Sequence, residues 1–246
     1  MKTIMIVGVD EAGRGPVIGP LVVASLGIPE AQINILEELG VNDSKALSPS
    51  RRLEIRNKIL RFKNWKYSIV EFSAEQIDRA MEHDTLNNIE VKLFAKAIDN
   101  IDSEYISKLI LDACDVDQER FGRNVSSTIK ATSKNFELIS EHKADSKHLI
   151  VGAASILAKV HRDLEIERIS KECGFKIGSG YPSDPKTKDA IPLLIAKDSP
   201  HTHLRWSWAT VERAWKEAGK GKLPLRPRIS QNTGGQSSVD FWYRQL

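Results

Sequence analysis

Apolar positions along this chain recur with two periods. Thr3 to Val9 is a β-rich run that stops at Asp10-Glu11. Gly13, Gly15, Pro16, Gly19 and Pro20 then force a turn, and Leu21 to Ile28 reads as a second strand. Trp65 to Phe72 predicts a third, Lys108 to Leu111 a short fourth ending at Asp112, and Phe136 to Ile139 a weaker fifth leading towards Asp145. Between and after these runs the period changes. Ser48-Pro49 is a helix start, and the following residues carry apolar side chains at 53, 55, 59, 60 and 62. Ser73-Ala-Glu-Gln76 is a capping box before a short helix, and Val91, Phe94, Ala95 and Ile98 mark another. From Ser146 the positions 149, 153, 156, 160 and 164 define the strongest helix, running to about Glu172. Two more helices follow at 185–196 and 208–218.

Strands come first, α and β interleave, and helices dominate late. The pattern predicts an α/β fold with a C-terminal helical extension. At 246 residues, 41% hydrophobic, the chain has material for one large core rather than two full domains. Composition shifts at Gly219, and 219–238 is rich in Gly, Pro, Ser, Asn and Gln. The expected division is an α/β domain over 1–184, a helical region over 185–220, and a flexible basic linker with a tail over 221–246.

Charge narrows the partners only slightly, because a net charge of +3 permits nucleic acid without requiring it. Two cysteines make neither a disulfide framework nor a four-ligand zinc site. No run of eighteen apolar residues occurs, and the apolar N-terminus meets Asp10 and Glu11 too soon for a signal-peptide core. The expectation is a soluble cytoplasmic protein, monomeric by default.

The predicted strand ends deliver carboxylates: Asp10 and Glu11, then Asp112, with Asp145 on a following loop. Strand ends at one sheet edge can converge although distant in sequence. Four converging carboxylates repel one another unless protons or cations neutralise them, and hard divalent cations take such oxygen ligands. Spacing alone leaves open the plainer reading of solvated strand-end acids. Asp115 and Asp117 are read as ordinary acids, because no glycine follows at the offset of a calcium loop. Gly8-Val-Asp-Glu-Ala-Gly13-Arg14-Gly15 lacks the Lys and Ser/Thr of a nucleotide-binding loop, which excludes a nucleoside triphosphatase of that type. What remains is a Gly-Arg-Gly turn after two acids, either a tight turn or a close backbone approach to a ligand.

Here the residues resemble a known family. Val9-Asp10-Glu11-Ala12-Gly13-Arg14-Gly15-Pro16-Val17-Ile18-Gly19-Pro20 is similar to the opening motif of the type 2 ribonucleases H, ribonuclease HII. Asp43-Ser44-Lys45, Leu111-Asp112-Ala113, Lys143-Ala144-Asp145, the helix Ala153 to Asp163 and Gly178-Ser179-Gly180-Tyr181-Pro182 resemble further family segments in order. The resemblance covers roughly 3–215 and looks archaeal in type. It implies a ribonuclease H-like fold with a mixed five-stranded sheet flanked by helices. It implies hydrolysis of RNA in RNA–DNA hybrids, and cutting 5′ of single ribonucleotides in duplex DNA to leave 3′-hydroxyl and 5′-phosphate ends.

Carried over, Asp10, Glu11, Asp112 and Asp145 are the catalytic and metal-binding carboxylates, with Mg2+ or Mn2+ as the ion. Gly13, Arg14 and Gly15 would meet the 2′-hydroxyl and flanking phosphate, Tyr181 the RNA–DNA junction, and Ser44 and Lys45 substrate phosphate. Lys159 and Arg162 fall on the polar side of the long helix by spacing, as phosphate contacts or as a solvated face. His142, His148 and His161 are not spaced for zinc, and His201-Thr-His203, a His-x-His near Arg205, is read as surface or structural rather than as a metal site. The tail Gln236-Ser-Ser-Val239-Asp-Phe-Trp242-Tyr243 resembles the motif by which replication and repair proteins dock on a PCNA-type sliding clamp. A short turn would bring Val239, Trp242 and Tyr243 to one side as an apolar plug. The alternative is a tail folded back on the catalytic domain.

Overall fold

Five strands form one mixed sheet in the computed structural model, which describes residues 4–41, 47–101, 105–130 and 136–227. They are β1 (Met5–Ala12), β2 (Leu21–Pro29), β3 (Lys66–Phe72), β4 (Ile106–Asp112) and β5 (Glu137–Glu141), in the order β3-β2-β1-β4-β5. β1 and β2 are antiparallel, with Ala12 opposite Val22, so the turn 13–20 joins neighbours directly. β1, β4 and β5 run parallel, with Val9 opposite Leu111 and Asp112 opposite Glu141. Parallel neighbours need crossovers, and helices supply them.

The described helices are α1 (Ile33–Glu38), α2 (Pro49–Ile59), α3 (Ala74–Met81), α4 (Leu86–Asp99), α5 (Gln118–Thr128), α6 (Leu149–Cys173), α7 (Pro185–Leu194) and α8 (Ala209–Glu217). The predicted starts hold. Ser48 caps α2 by accepting the Arg51 N–H, with Pro49 in the first turn. Ser73 and Gln76 form the reciprocal box at α3. The spacing does not anticipate α5, because Phe121, Gly122 and Val125 are its only buried residues. Its start was present as Asp117, read as an ordinary acid, which accepts the Arg120 N–H at 2.9 Å.

The chain forms two compact units. The first comprises the N-terminal residues to Ala12, Val22–Glu71 and Asn87–His161. β1 up to Asp10 and β2 up to Ile28 are buried continuously rather than alternately, as strands covered on both faces are. Val22, Ala24, Leu26 and Ile28 join the core with α1, α2 and the first half of α6. On the opposite face of β2 the Ser25 hydroxyl donates to the Ala97 carbonyl of α4 at 2.6 Å. Phe94 of α4 meets Phe121 of α5 edge-on at 5.0 Å. α6 approaches β1 closely at Gly8, where an added Cβ would lie 2.6 Å from the Ile150 carbonyl carbon.

α6 differs from the one-sided stripe its spacing predicts. Ile150, Val151, Ala154, Ser155, Leu157 and Ala158 are also buried, whereas Leu164 is exposed. A helix buried around its circumference needs small residues where neighbours come close, and three of its buried positions are alanines at 153, 154 and 158. The second unit comprises Gly13–Leu21, Phe72–Leu86 and the described residues from Arg162 onward. Its core packs Val17 and Ile18 with Ile166 and Ile169 of α6, Ile191 of α7 and Val211 and Trp215 of α8. Among the described residues no helix is long and apolar enough to cross a membrane.

Candidate active site

Parallel pairing of β1 and β4 puts their C-terminal ends at one edge of the sheet. β1 ends with Asp10 and Glu11 and β4 with Asp112. Asp145 arrives after β5 on a single 3-10 turn, Ala144–Ser146. Lys143 enters that turn at φ 59°, in the left-handed region. Carboxylate oxygens of Asp10, Asp112 and Asp145 all lie within 4.8 Å of one another, and Asp10 and Asp145 are buried. The Asp145 N–H also points to Oδ2 of Asp112, at 3.4 Å.

Glu11 is partly buried and is not in this three-carboxylate group. Its charge still reaches Asp10, whose carboxyl it pushes up. Its N–H donates to Asp10 Oδ1 at 2.7 Å.

The electrostatics are those of crowded anions. Burial pushes the Asp10 carboxyl well above the usual carboxylate range, and the charges of Glu11 and Asp112 push it further. The Ser155 hydroxyl and the Lys159 ammonium pull in the opposite direction without cancelling that rise. Asp112 is raised by burial and by Asp145, against the N–H groups of Asp145, Ala144 and Lys143. Lys159 Nζ lies 3.8 Å from Asp145 Oδ2, so this lysine faces the acids rather than a solvated surface. The donor set is entirely oxygen, two of its three members are buried, and their mutual repulsion favours a bound cation. These residues fit a hard divalent ion.

The second unit contains the glycine turn and Tyr181. Gly13 has φ +92°, and a Cβ there would lie 2.6 Å from both the Pro20 carbonyl and the Arg162 side chain. Gly15 is exposed and lies beside the Tyr181 ring, with room for a Cβ 3.7 Å from Cε1. Tyr181 is 40% exposed. Its loop is held by Asp184, which accepts the Ser179 N–H at 2.7 Å, and by Thr187, which accepts the Gly180 N–H at 3.0 Å. The Val17 N–H donates to Gly180 O at 2.8 Å, so turn and tyrosine loop are joined through the backbone.

Arg162 overturns the expectation of a polar-side residue. Only 4% of it is exposed. It donates to Ser179 O at 2.8 Å, and its guanidinium carbon lies 5.1 Å from the Tyr181 ring centroid. The helical spacing failed here because α6 enters a second core after His161. Ser44, Lys45, Gln236, Val239, Trp242 and Tyr243 lie outside the described residues.

The remaining candidates have local partners. Asp115 pairs with Arg120 at 2.7 Å. His148 and Lys147 share Glu141, His161 meets Glu71 at 2.8 Å, and His203 meets Glu172 at 3.2 Å. His142 Nδ1 is 3.2 Å from Ala113 O.

Comparison with known proteins agrees with this geometry. The sequence profile described as ribonuclease HII matches residues 7–211. A ribonuclease HII from Methanococcus maripaludis is 43% identical over 222 residues, covering 89% of this chain and 90% of that one. The crystal structure of the ribonuclease H2 from Pyrococcus horikoshii is 37% identical and aligns with a TM-score of 0.80, over 88% of this chain and all of that one. A ribonuclease HII solved as a complex with PCNA, from Archaeoglobus fulgidus, is 38% identical with a TM-score of 0.74, over 85% of this chain and 96% of that one.

Proposed function

This chain belongs to the ribonuclease HII family, and from that membership we infer an endoribonuclease that hydrolyses the RNA strand of RNA–DNA hybrids. It also cuts on the 5′ side of single ribonucleotides in duplex DNA, leaving 3′-hydroxyl and 5′-phosphate ends. The observation that carries the reading is the group formed by Asp10, Asp112 and Asp145 at the ends of parallel strands. Buried carboxylates held this close have no use in a protein that only binds nucleic acid, since they repel phosphate.

Asp10, Asp112 and Asp145, with Glu11 next to Asp10 in the chain, would hold Mg2+ or Mn2+. When bound, a pair of such ions supplies a water nucleophile at neutral pH and neutralises charge on the leaving oxygen. The protein's own contributions are distinct. Asp10 must give up the proton that burial favours. Lys159 draws Asp145 into place from 3.8 Å. Gly13, Arg14 and Gly15 read the 2′-hydroxyl and the flanking phosphate through the backbone, and that hydroxyl distinguishes RNA from DNA at one position. Tyr181 offers a half-exposed ring for the sugar or base at the junction, backed by Arg162. Ser44 and Lys45 hold substrate phosphate.

The tail residues Gln236, Val239, Trp242 and Tyr243 dock on a PCNA-type clamp. Their spacing supports this, as does the relative from Archaeoglobus fulgidus solved with PCNA. Tethering raises the enzyme's local concentration on DNA. The enzyme itself acts as a monomer.

The test is cleavage of a DNA duplex carrying one ribonucleotide, with Mg2+, Mn2+ or EDTA, beside an all-DNA control. The expected result is a metal-dependent cut 5′ of the ribonucleotide with the control intact. Cutting of long hybrids alone would remove the single-ribonucleotide reading, and no cutting with either metal would remove the enzyme.

A further inference from the structure

Arg205 takes no part in the reading above, yet it is the largest fully buried side chain among the described residues. It ends a segment stitched to the glycine turn. The Gly19 N–H donates to His203 O at 3.0 Å, Ile18 bridges Leu204, and the Arg205 N–H donates to Val17 O at 2.9 Å. The guanidinium then reaches back into the same turn. Nε donates to Gly19 O at 3.0 Å, Nη1 to Arg14 O at 2.9 Å and Nη2 to Gly13 O at 2.5 Å. Trp208 lies over the guanidinium carbon, with its ring centroid 4.8 Å away.

Among the described residues, every side-chain hydrogen bond of Arg205 ends on a main-chain oxygen of this one turn. Burying a cation against neutral acceptors is costly, so such an arrangement has to be held by its geometry. Only the planar fork of arginine offers three donors in fixed directions; lysine offers a single rotating head.

The direction of these bonds matters. Described peptide bonds are trans, so each N–H points opposite to the preceding carbonyl. Drawing the Gly13 and Arg14 carbonyls towards Arg205 aims the N–H groups of Arg14 and Gly15 away from it, on the side where Gly15 is exposed. Two successive N–H groups aimed the same way form a receptor for an oxygen carrying negative charge or a lone pair. On another flank, the side chain of Arg162 lies so close to Gly13 that no Cβ fits between them.

We propose that Arg205 is a positioning residue: it pins the Gly13–Gly19 turn in the form whose backbone N–H groups recognise the ribonucleotide. This rests on the reading of that turn given under Proposed function. Arg205 touches no substrate itself, and its effect falls on discrimination between ribose and deoxyribose.

The test uses the full-length chain carrying Asp10→Asn, so that nothing is cut. Fluorescence anisotropy measures Kd for a duplex with one ribonucleotide and for the same duplex in all-DNA form, and their ratio is the selectivity. Arg205→Lys is expected to reduce that ratio by roughly tenfold, the scale of one lost hydrogen bond, while the all-DNA Kd stays within about twofold. Equal weakening on both duplexes, or an unchanged ratio, overturns the proposal, because a purely structural arginine has no reason to act on one 2′-oxygen. Gly15→Ala fits the fold, with its Cβ at ordinary contact distance from Tyr181. If it lowers selectivity and Arg205→Lys does not, the turn reads the sugar without Arg205. If the parent ratio is one, or Gly15→Ala has no effect, the reading of the turn itself fails. Should Arg205→Lys not fold, Trp208→Leu loosens the guanidinium while keeping its charge. A two- to threefold loss of selectivity, on the order of a weakened hydrogen bond, is then expected, and none overturns the proposal.

Discussion

At the scale of single residues, Asp10 carries the conflict on which the site depends. Its carboxyl is buried and faces Glu11 and Asp112, so in the absence of metal its proton is held well above the usual carboxylate range. A carboxyl whose folded pKa is raised stabilises the fold below its unfolded pKa, and that stabilisation is lost as pH rises through the folded value. The melting temperature in EDTA should therefore fall as pH rises through the range where Asp10 ionises. Mg2+ should reverse the trend, because binding to the ionised group releases its proton and strengthens with pH. Asp10→Asn removes the titration and the repulsion together. The expected outcome is loss of turnover together with a metal-free melting temperature raised by about 2–4 °C, equivalent to about 1 kcal/mol in a chain of this size. Calorimetry in EDTA checks the stability, and the cleavage assay checks the turnover. An unstable Asp10→Asn protein would mean that the carboxylate supports the fold rather than the chemistry.

At the scale of elements, Asp117 shows how a plain-looking acid acquires a role. It caps α5 by accepting the Arg120 N–H, and α5 is the crossover between β4 and β5. Asp117→Ala should cost about 1 kcal/mol, lowering the melting temperature by about 2–4 °C, with cleavage unchanged. Asp117→Asn, which caps as well, should be silent in both measurements. The sequence revealed α3 through its paired Ser73 and Gln76, but not α5, whose cap stands before few apolar residues. The strands were legible because β1 and β2 are mostly apolar runs separated by turn glycines. The carboxylates were legible as strand ends, but spacing alone could not make them converge; the parallel register of β1 and β4 does so. Arg162 and Arg205 were illegible for a common reason. Charged residues are assigned to the surface by default, and only the fold reveals that carbonyls and rings receive them.

At the scale of the whole molecule, the C-terminal segment begins with an anchor, and the proposed clamp tether would follow it. Composition marks the chain after Gly219 as a linker, but the Arg226 side chain is only 5% exposed there. It donates to Asp78 Oδ2 at 2.6 Å and to the carbonyls of Thr202 and Leu204, with its guanidinium over the Trp206 ring. Arg79 holds the next residue by donating to Pro227 O at 2.6 Å. The described part of the segment therefore belongs to the second unit, and any reach towards a clamp begins after it. Two truncations should separate these roles. Removing 236–246 deletes Gln236, Val239, Trp242 and Tyr243 but leaves Arg226 in place. Cleavage of short duplexes and the melting temperature should not change, while stimulation by a PCNA-type clamp should disappear. Removing the chain from Lys222 onward also takes Arg226 from Asp78. Breaking a buried pair typically costs about 3–5 kcal/mol. Asp78 keeps donors from the Trp206 N–H and from the N–H and hydroxyl of Ser207, so a smaller loss, roughly 2 kcal/mol, is expected. Arg226→Ala in the full-length chain should reproduce most of that loss, and with the tail present it should retain clamp stimulation. If the first truncation is as unstable as the second, the tail packs on the catalytic body and the clamp reading is wrong. If Arg226→Ala is as stable as the parent, the buried pair does not hold the segment in solution.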